Sequence, residues 1–209
     1  MLALDGGAVD ERAVRGMAGA LVHRGPDSEG LFADGPVALA ARRLAIIDLA
    51  RGDQPMRNED GSVTVVQNGE LYEHRSLQAE LERRGHRFAS HCDTEVLPHL
   101  YEERGAEFAV GLRGMFAIAL WDARERRLLL ARDPFGIKPL YYRVAGGVLS
   151  FASKPIENVA TAQESPGAGT LLNPRYASSA SRSISPANPG WRTSALSSEA
   201  NDSTPPATR

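Results

Sequence analysis

The chain has 209 residues, of which 42% are hydrophobic and 24% are charged, an ordinary composition for a globular protein with one sizeable domain and a further segment. Its net charge of −2 gives no electrostatic reason to expect binding to nucleic acid or to a membrane surface. The single cysteine excludes an internal disulfide framework and favours a reducing, cytoplasmic compartment. No apolar run approaches the roughly 20 residues of a membrane span, and the N-terminus lacks the features of a signal peptide.

The first elements are short. Residues 1–4 form an apolar run that ends in a glycine-rich turn, which predicts the end of a strand. Asp10 is the predicted N-cap of a helix that ends before Gly25-Pro26. Residues 37–41 predict a second strand, and Arg42-Arg43 follows it. Either both arginines point to solvent from an edge strand, or one turns inward to bind a carboxylate, and the local sequence favours neither.

The stretch from Val63 to Glu95 organises the predicted site. Residues 63–66 are rich in β-branched side chains and predict a strand that leads into Asn68-Gly69. This pair is typical of a hairpin turn, but residues 71–84 have helical periodicity, so a two-residue turn would reach no second strand. The alternative is a strand exit at which an amide side chain and a glycine N–H could stabilise an oxyanion. Asp93 adds a carboxylate suited to holding an ammonium group.

Two helices are predicted around this stretch. The leucines after Asn68-Gly69 predict a helix that Gly85 ends and that a Glu80–Arg84 ion pair supports. Asp93 is predicted to cap the next helix, from Thr94 to about Arg104, and Pro98 predicts an irregular first turn.

The sequence after residue 114 predicts strands, and its last segment is a low-complexity tail. Four apolar or alternating runs predict strands at Met115–Trp121, Arg127–Ala131, Leu140–Val144 and Val148–Ala152. Their short spacing favours antiparallel hairpins, so the predicted class is α+β, with sheets covered by helices. Residues 154–209 are rich in proline, serine, alanine and threonine, with few apolar residues, and we expect this tail to be disordered.

Six motifs in order resemble the N-terminal glutaminase domain of glutamine-hydrolysing asparagine synthetases, a class II glutamine amidotransferase domain of the N-terminal-nucleophile (Ntn) hydrolase fold. The likeness covers residues 1–153. The resemblance implies an αββα sandwich of antiparallel sheets. The matching stretches are His23-Arg24-Gly25-Pro26-Asp27, Arg42 to Asp48, Asn68-Gly69-Glu70-Leu71-Tyr72, Asp93-Thr94-Glu95, Arg113 to Ala117 and Arg132 to Tyr142.

The resemblance also implies roles for particular residues. Arg43 corresponds to the residue that binds the α-carboxylate of glutamine. The Asn68 side chain and the Gly69 N–H correspond to the oxyanion hole. Asp93 corresponds to the ligand of the α-ammonium group, with Glu70 beside it. No metal site and no cofactor are expected in this chain, because ATP and Mg²⁺ belong to the family's synthetase domain.

The resemblance implies an N-terminal cysteine nucleophile, whose α-amino group acts as the base. The family's opening Met-Cys-Gly-Ile-Ala-Gly would fit directly before Met1, so we expect the true start to lie about six codons upstream. Cys92 is the only thiol. A neighbouring carboxylate raises a thiol's pKa and Cys92 has no free α-amine, so we interpret it as a packing residue.

The family's ATP-binding synthetase domain, with its Ser-Gly-Gly-x-Asp-Ser phosphate loop, has no counterpart in this sequence. The leading expectation is the glutaminase half of an asparagine synthetase, truncated at both ends and inactive as given. Two alternatives stay open: a non-catalytic glutamine-binding remnant, and the product of a decayed gene that does not fold. The expected partner is glutamine, and whether the chain forms a homodimer or associates with a synthetase domain is left open.

Overall fold

The computed structural model describes residues 1–44 and 52–155, and it gives the strand positions of 169–170 and 182–184. The helices in these residues are α1 (Glu11–Gly19), α2 (His74–Arg83) and α3 (Val96–Arg104). The strands are β1 (Leu2–Ala3), β2 (Ser28–Asp34), β3 (Val37–Arg43), β4 (Met56–Arg57), β5 (Val63–Leu71), β6 (Gly114–Asp122), β7 (Arg127–Arg132), β8 (Tyr141–Ala145), β9 (Val148–Ala152), β10 (Gly169–Thr170) and β11 (Arg182–Ile184).

The strands form two antiparallel sheets. One has the order β10–β8–β9–β1–β3–β2 and the other β11–β7–β6–β5–β4. A first apolar core fills the space between the sheets, with Leu2 and Leu39 of one sheet meeting Trp121 of the other. A second core lies between β5–β6 and the helices α2 and α3, while α1 packs on β3. The predicted αββα sandwich is therefore confirmed.

Most predicted elements lie where the pattern placed them. The Asp10 side chain accepts a hydrogen bond from the Arg12 N–H at 2.9 Å and caps α1. The Glu80–Arg84 ion pair forms at 2.9 Å, and Gly85 adopts a positive φ of 104° just beyond α2. The four strands predicted between 115 and 152 are β6 to β9, each within one residue of its expected bounds.

Three features differ from what the local sequence pattern alone favours. Asn68-Gly69 is not a turn, because both residues pair with β6 inside β5. Leu71 ends this strand instead of opening a helix, since its side chain is buried in the core and its N–H donates to the Asp93 carboxylate. Residues 28–34 form β2, although their sequence has no apolar alternation that would predict a strand. Seven consecutive residues pair with β3 and so define the strand.

The start of α3 is irregular, as expected, but its cap is not the one predicted. Residues 93–95 form a 3₁₀ turn, and α3 begins at Val96 without a side-chain cap. The Asp93 carboxylate instead accepts hydrogen bonds from the Gln67 side chain and the Leu71 N–H. These long-range donors hold the carboxylate away from the helix N–H groups.

The predicted tail, 154–209, lies outside the described residues except for Lys154, Pro155 and the two short strands. Of these strands, β10 pairs with β8 and β11 pairs with β7. The domain boundary at residue 153 stays a prediction. In the described part of the chain, every helix is too short or too polar to traverse a lipid bilayer.

Candidate functional site

Arg43 is the last residue of β3, and its side chain is only 11% exposed. Its Nη1 atom lies 3.0 Å from Asp53 Oδ1, a carboxylate that is 67% exposed. The same carboxylate accepts a hydrogen bond from the Ser28 hydroxyl at 2.8 Å. The Ser28 bond, followed by the Arg43 bond, lowers the pKa of Asp53 below its usual range. Arg42 is 13% exposed and pairs with Glu29 at 2.6 Å, so the solvent-facing alternative is wrong for both arginines.

The edge of β5 beyond β4 is closed by side chains rather than by a strand. β4 pairs with β5 only at Thr64 and Val65. Further along, the Gln67 N–H donates to Gln54 Oε1 at 2.7 Å and the Leu71 N–H donates to Asp93 Oδ2 at 2.9 Å. Because every second N–H of a strand points to the same side, the Gly69 N–H lies at this edge too, between those two contacts.

Gly69 is exposed and has a φ of 154°. A Cβ atom at this position would lie 2.0 Å from the Met115 carbonyl oxygen in β6. The glycine is thus required by the neighbouring strand, which is a packing reason in addition to the substrate approach inferred from the sequence. Glu70 follows it on the exposed end of β5.

Successive side chains of a strand alternate between its two faces. The Asn68 side chain therefore lies on the face of β5 opposite to Gln67, toward the space between the sheets. Its Nδ2 atom is buried and has no hydrogen-bond partner among the described residues. A buried amide donor without a partner is uncommon and needs an explanation. Asn68 also lines a cavity of about 200 Å³.

The cavity is a gap in the six-stranded sheet. Its walls are β3 on one side, β9 on the other, α1 above and the five-stranded sheet below. Met1 closes one end, where its N–H group donates to the Ala38 carbonyl at 2.7 Å. Burial lowers the pKa of the Met1 amino group from 8.0 to about 5. Asn68 lines this cavity, whereas Arg43, Gly69, Glu70 and Asp93 do not.

Gln54 connects the separate parts of the site. It follows Asp53, the partner of Arg43, and its Nε2 atom lies 3.2 Å from the hydroxyl of Thr94, the neighbour of Asp93. Arg43 and Asp93 are thus brought to the two ends of one short chain of contacts rather than into direct contact. The sequence analysis did not single out Gln54 or Gln67, although a glutamine directly after the β-branched strand residues 63–66 is a signal that could have indicated Gln67.

Asp93 and Cys92 are both buried. Asp93 is 6% exposed, and its Oδ2 atom accepts from the Gln67 side chain at 3.2 Å and from the Leu71 N–H at 2.9 Å. The Cys92 thiol lies 3.5 Å from Asp93 Oδ1. Burial, with the Asp93 charge adding to it, raises the pKa of the Cys92 thiol. Cys92 is therefore a core residue with little thiolate character near neutral pH.

Comparison with known proteins decides the family, because residues 3–171 match the glutamine amidotransferase domain family. The chain belongs to this family. Among curated relatives of the domain, asparagine synthetases 2 and 1 of Bacillus subtilis are 48% and 45% identical over 141 and 147 residues, which is 68% and 70% of this chain. Asparagine synthetase 2 of Oryza sativa is 50% identical over 58% of this chain.

The amidotransferase domain accounts for only part of these relatives. The chain spans 19% and 23% of the two Bacillus subtilis synthetases and 20% of the rice one. Among solved structures, the glutamine phosphoribosylpyrophosphate amidotransferase of Bacillus subtilis matches with a TM-score of 0.50 and 26% identity. That match covers 58% of this chain and 28% of the amidotransferase.

Proposed function

We propose that this amidotransferase domain binds glutamine and releases its side-chain nitrogen as ammonia. The observation that carries the proposal is Asn68, a residue that lines a cavity and whose buried Nδ2 atom has no hydrogen-bond partner among the described residues. A donor kept without a partner is ready to bind an oxyanion with no reorganisation at the moment of reaction. The Gly69 N–H at the open strand edge would be the second donor.

The two charged ends of glutamine would be held by Arg43 and Asp93. The guanidinium of Arg43 offers two parallel N–H donors to a carboxylate. One of its partners, Asp53, is well exposed, so replacing that contact with one to the substrate carboxylate costs little. Asp93 would accept from the α-ammonium group, and Glu70 would add negative charge from the neighbouring end of β5.

The reaction requires a nucleophile, and the buried Cys92 does not fit that role. In the proposed mechanism, an N-terminal thiolate attacks the amide carbon, and the negative charge moves to the carbonyl oxygen between Asn68 and Gly69. The α-amino group of the nucleophile takes the thiol proton and delivers it to the departing nitrogen, which leaves as ammonia. Water then hydrolyses the thioester to glutamate and regenerates the thiol.

The gap beside β3 would let a chain extended before Met1 run along β3 toward Arg43, and this supports the proposed position of the nucleophile. Leu2 pairs with Val37, and Met1 exchanges two hydrogen bonds with Ala38. Residues added before Met1 in the same antiparallel register would pair with successive residues of β3. The fifth added residue would then lie opposite Arg43. A cysteine at that position would stand next to the proposed carboxylate-binding residue.

We further propose that the ammonia serves the ATP-dependent conversion of aspartate to asparagine, since the relatives of 45–50% identity are asparagine synthetases. The ATP, Mg²⁺ and aspartate would be held by a synthetase domain and not by the residues of this chain. A cytoplasmic location fits the single cysteine of the sequence.

A glutaminase assay on an extended chain tests the proposal. Cys-Gly-Ile-Ala-Gly is added before Met1, and ammonia release from glutamine is measured for this chain, for the chain that starts at Met1 and for an extension that starts with alanine. Release by the cysteine extension alone supports the proposal. A folded cysteine extension without release contradicts it.

The second candidate is a glutamine-binding domain without hydrolysis, which the burial and raised pKa of Cys92 favour for the chain that starts at Met1. It is supported if all three chains bind glutamine but none releases ammonia.

A further inference from the structure

A second cluster of chemically competent side chains lies on the helix side of the five-stranded sheet. It consists of Glu59, His86, His99 and Glu102, and one ligand atom from each lies within 4.8 Å of all the others. Glu59 belongs to the turn before β5 and His86 follows the end of α2. His99 and Glu102 are three residues apart on α3 and so share one helix face.

The separations in this cluster are too long for good hydrogen bonds. His99 Nδ1 lies 3.3 Å from Glu59 Oε2 and 3.5 Å from Glu102 Oε2. His86 Nδ1 lies 3.5 Å from Glu59 Oε1 and 3.7 Å from Glu102 Oε2. Protein N–H···O bonds are usually about 2.7–3.2 Å long. Ligands at ~2.0–2.1 Å from a tetrahedral metal ion are ~3.3–3.4 Å from one another. The shortest separations found are close to this value, and the longer ones, up to 4.8 Å, would shorten when an ion binds.

His99 gives independent evidence for a ligand-binding site. It is fully buried, with 0% exposure, and neither ring nitrogen has a hydrogen-bond partner among the described residues. A buried imidazole normally has both nitrogens satisfied, because an unsatisfied polar atom costs stability. Phe88 covers one side of the ring at a centroid distance of 4.4 Å, and Nδ1 is directed into the cluster.

Hydrogen bonds from neighbouring groups hold the carboxylates and the His86 ring in place, as the surroundings of a metal site do. The Asn58 amide donates to Glu102 Oε1 at 2.8 Å, and the Arg87 N–H donates to Glu59 Oε1 at 2.9 Å. The far ring nitrogen of His86 lies 3.2 Å from a Glu103 carboxylate oxygen. Carboxylate–histidine–metal arrangements fix the ring and its tautomer in this way.

We propose that Glu59, His86, His99 and Glu102 form a binding site for a divalent transition-metal ion, with Zn²⁺ as the best fit. Two imidazoles and two carboxylates suit Zn²⁺, whereas Mg²⁺ and Ca²⁺ take oxygen ligands in higher coordination numbers. The ion would tie the turn before β5 to α2 and α3. None of these four residues belongs to the proposed glutamine site, so the two proposals stand or fall separately.

Zinc titration of the full 209-residue chain tests the site. The protein is stripped with a chelator, dialysed and titrated with Zn²⁺ in a calorimeter, and Co²⁺ is added to a second sample to record its absorption spectrum. We expect saturation at one Zn²⁺ per chain, an intense visible Co²⁺ spectrum of tetrahedral type, a higher midpoint of thermal unfolding with Zn²⁺, and no competition from millimolar Mg²⁺.

The ligand variants are Glu102→Gln, which keeps an oxygen for Asn58 to donate to, and His86→Asn. Their matched controls are Glu107→Gln and His23→Asn, at exposed positions outside the cluster. The ligand variants should bind Zn²⁺ at least about tenfold more weakly than the controls while keeping the same circular dichroism spectrum. The proposal is overturned by a chain that shows no saturable binding at one equivalent, or by ligand variants that bind within about twofold of their controls.

Discussion

Replacing Gly69 with alanine should destabilise the domain far more than an ordinary glycine substitution. The new Cβ atom would lie 2.0 Å from the Met115 carbonyl oxygen and 2.7 Å from the Phe116 Cα atom, so the backbones of β5 and β6 must separate. The φ of 154° adds strain for any residue with a side chain. With about 1–3 kcal/mol for the backbone conformation and about 1–3 kcal/mol for overpacking, we expect a loss of about 2–6 kcal/mol.

Two control variants separate these contributions. Gly85 also has a positive φ, 104°, but a Cβ there meets no atom within 4 Å, so Gly85→Ala should lose only about 1–2 kcal/mol of unfolding free energy. Gly16 lies inside α1 in open space, so Gly16→Ala should gain about 0.5–1 kcal/mol. Urea unfolding followed by circular dichroism measures all three. A Gly69→Ala variant that loses no more unfolding free energy than Gly85→Ala would refute the reasoning.

Three further predictions concern buried polar groups. Cys92 should react with iodoacetamide far more slowly than a free thiol at pH 8 and gain reactivity at higher pH, because burial raises its pKa; alkylation at the free-thiol rate would contradict this. In the chain that begins at Met1, the amino group has a folded pKa of about 5 against 8.0 unfolded, so the unfolded state binds more protons between these values. Its unfolding free energy should therefore rise by up to about 4 kcal/mol from pH 5 to pH 8, and an N-terminal extension should remove this contribution in urea titrations at several pH values. Tyr101→Phe should cost about 1–3 kcal/mol in the same assay, since the Tyr101 hydroxyl donates to the buried Asp122 carboxylate at 2.7 Å, and an unchanged midpoint would show that the bond contributes nothing.

Local sequence predicted the elements whose signal is local. The Asp10 cap, the Gly85 helix end and the hairpin strands after residue 115 depend on neighbouring residues, and all are present. Asn68-Gly69 has the sequence of a turn, yet nine consecutive pairs between β5 and β6 keep it in a strand, so tertiary pairing overrides the local preference. β2 has no periodic sequence signal, and its pairing with β3 keeps it in a strand.

The candidate sites depend on contacts between segments that are distant in the chain. The local sequence could therefore not predict which side chains meet there. The sequence predicted Asp93 as a helix cap, but its carboxylate accepts a hydrogen bond from the Leu71 N–H, 22 residues away. Likewise, Glu59 meets His99 across 40 positions of the chain, and no spacing rule connects them. The resemblance supplied Arg43, Asn68, Gly69, Glu70 and Asp93 as a set, and their roles in binding glutamine stay predictions.

Calorimetric titration with glutamine tests the glutamine pocket most directly. The extended chain that starts with alanine is used, because it cannot turn the substrate over, together with its Arg43→Lys and Asp93→Asn variants and an Asp60→Asn control at an exposed turn. We predict saturable binding by the parent and the control, and at least about tenfold weaker binding by the two site variants. A lysine cannot make the two parallel N–H contacts of Arg43, and an asparagine has no negative charge for the ammonium group. Equal affinity in all four proteins, or no binding by the folded parent, would contradict the proposed site.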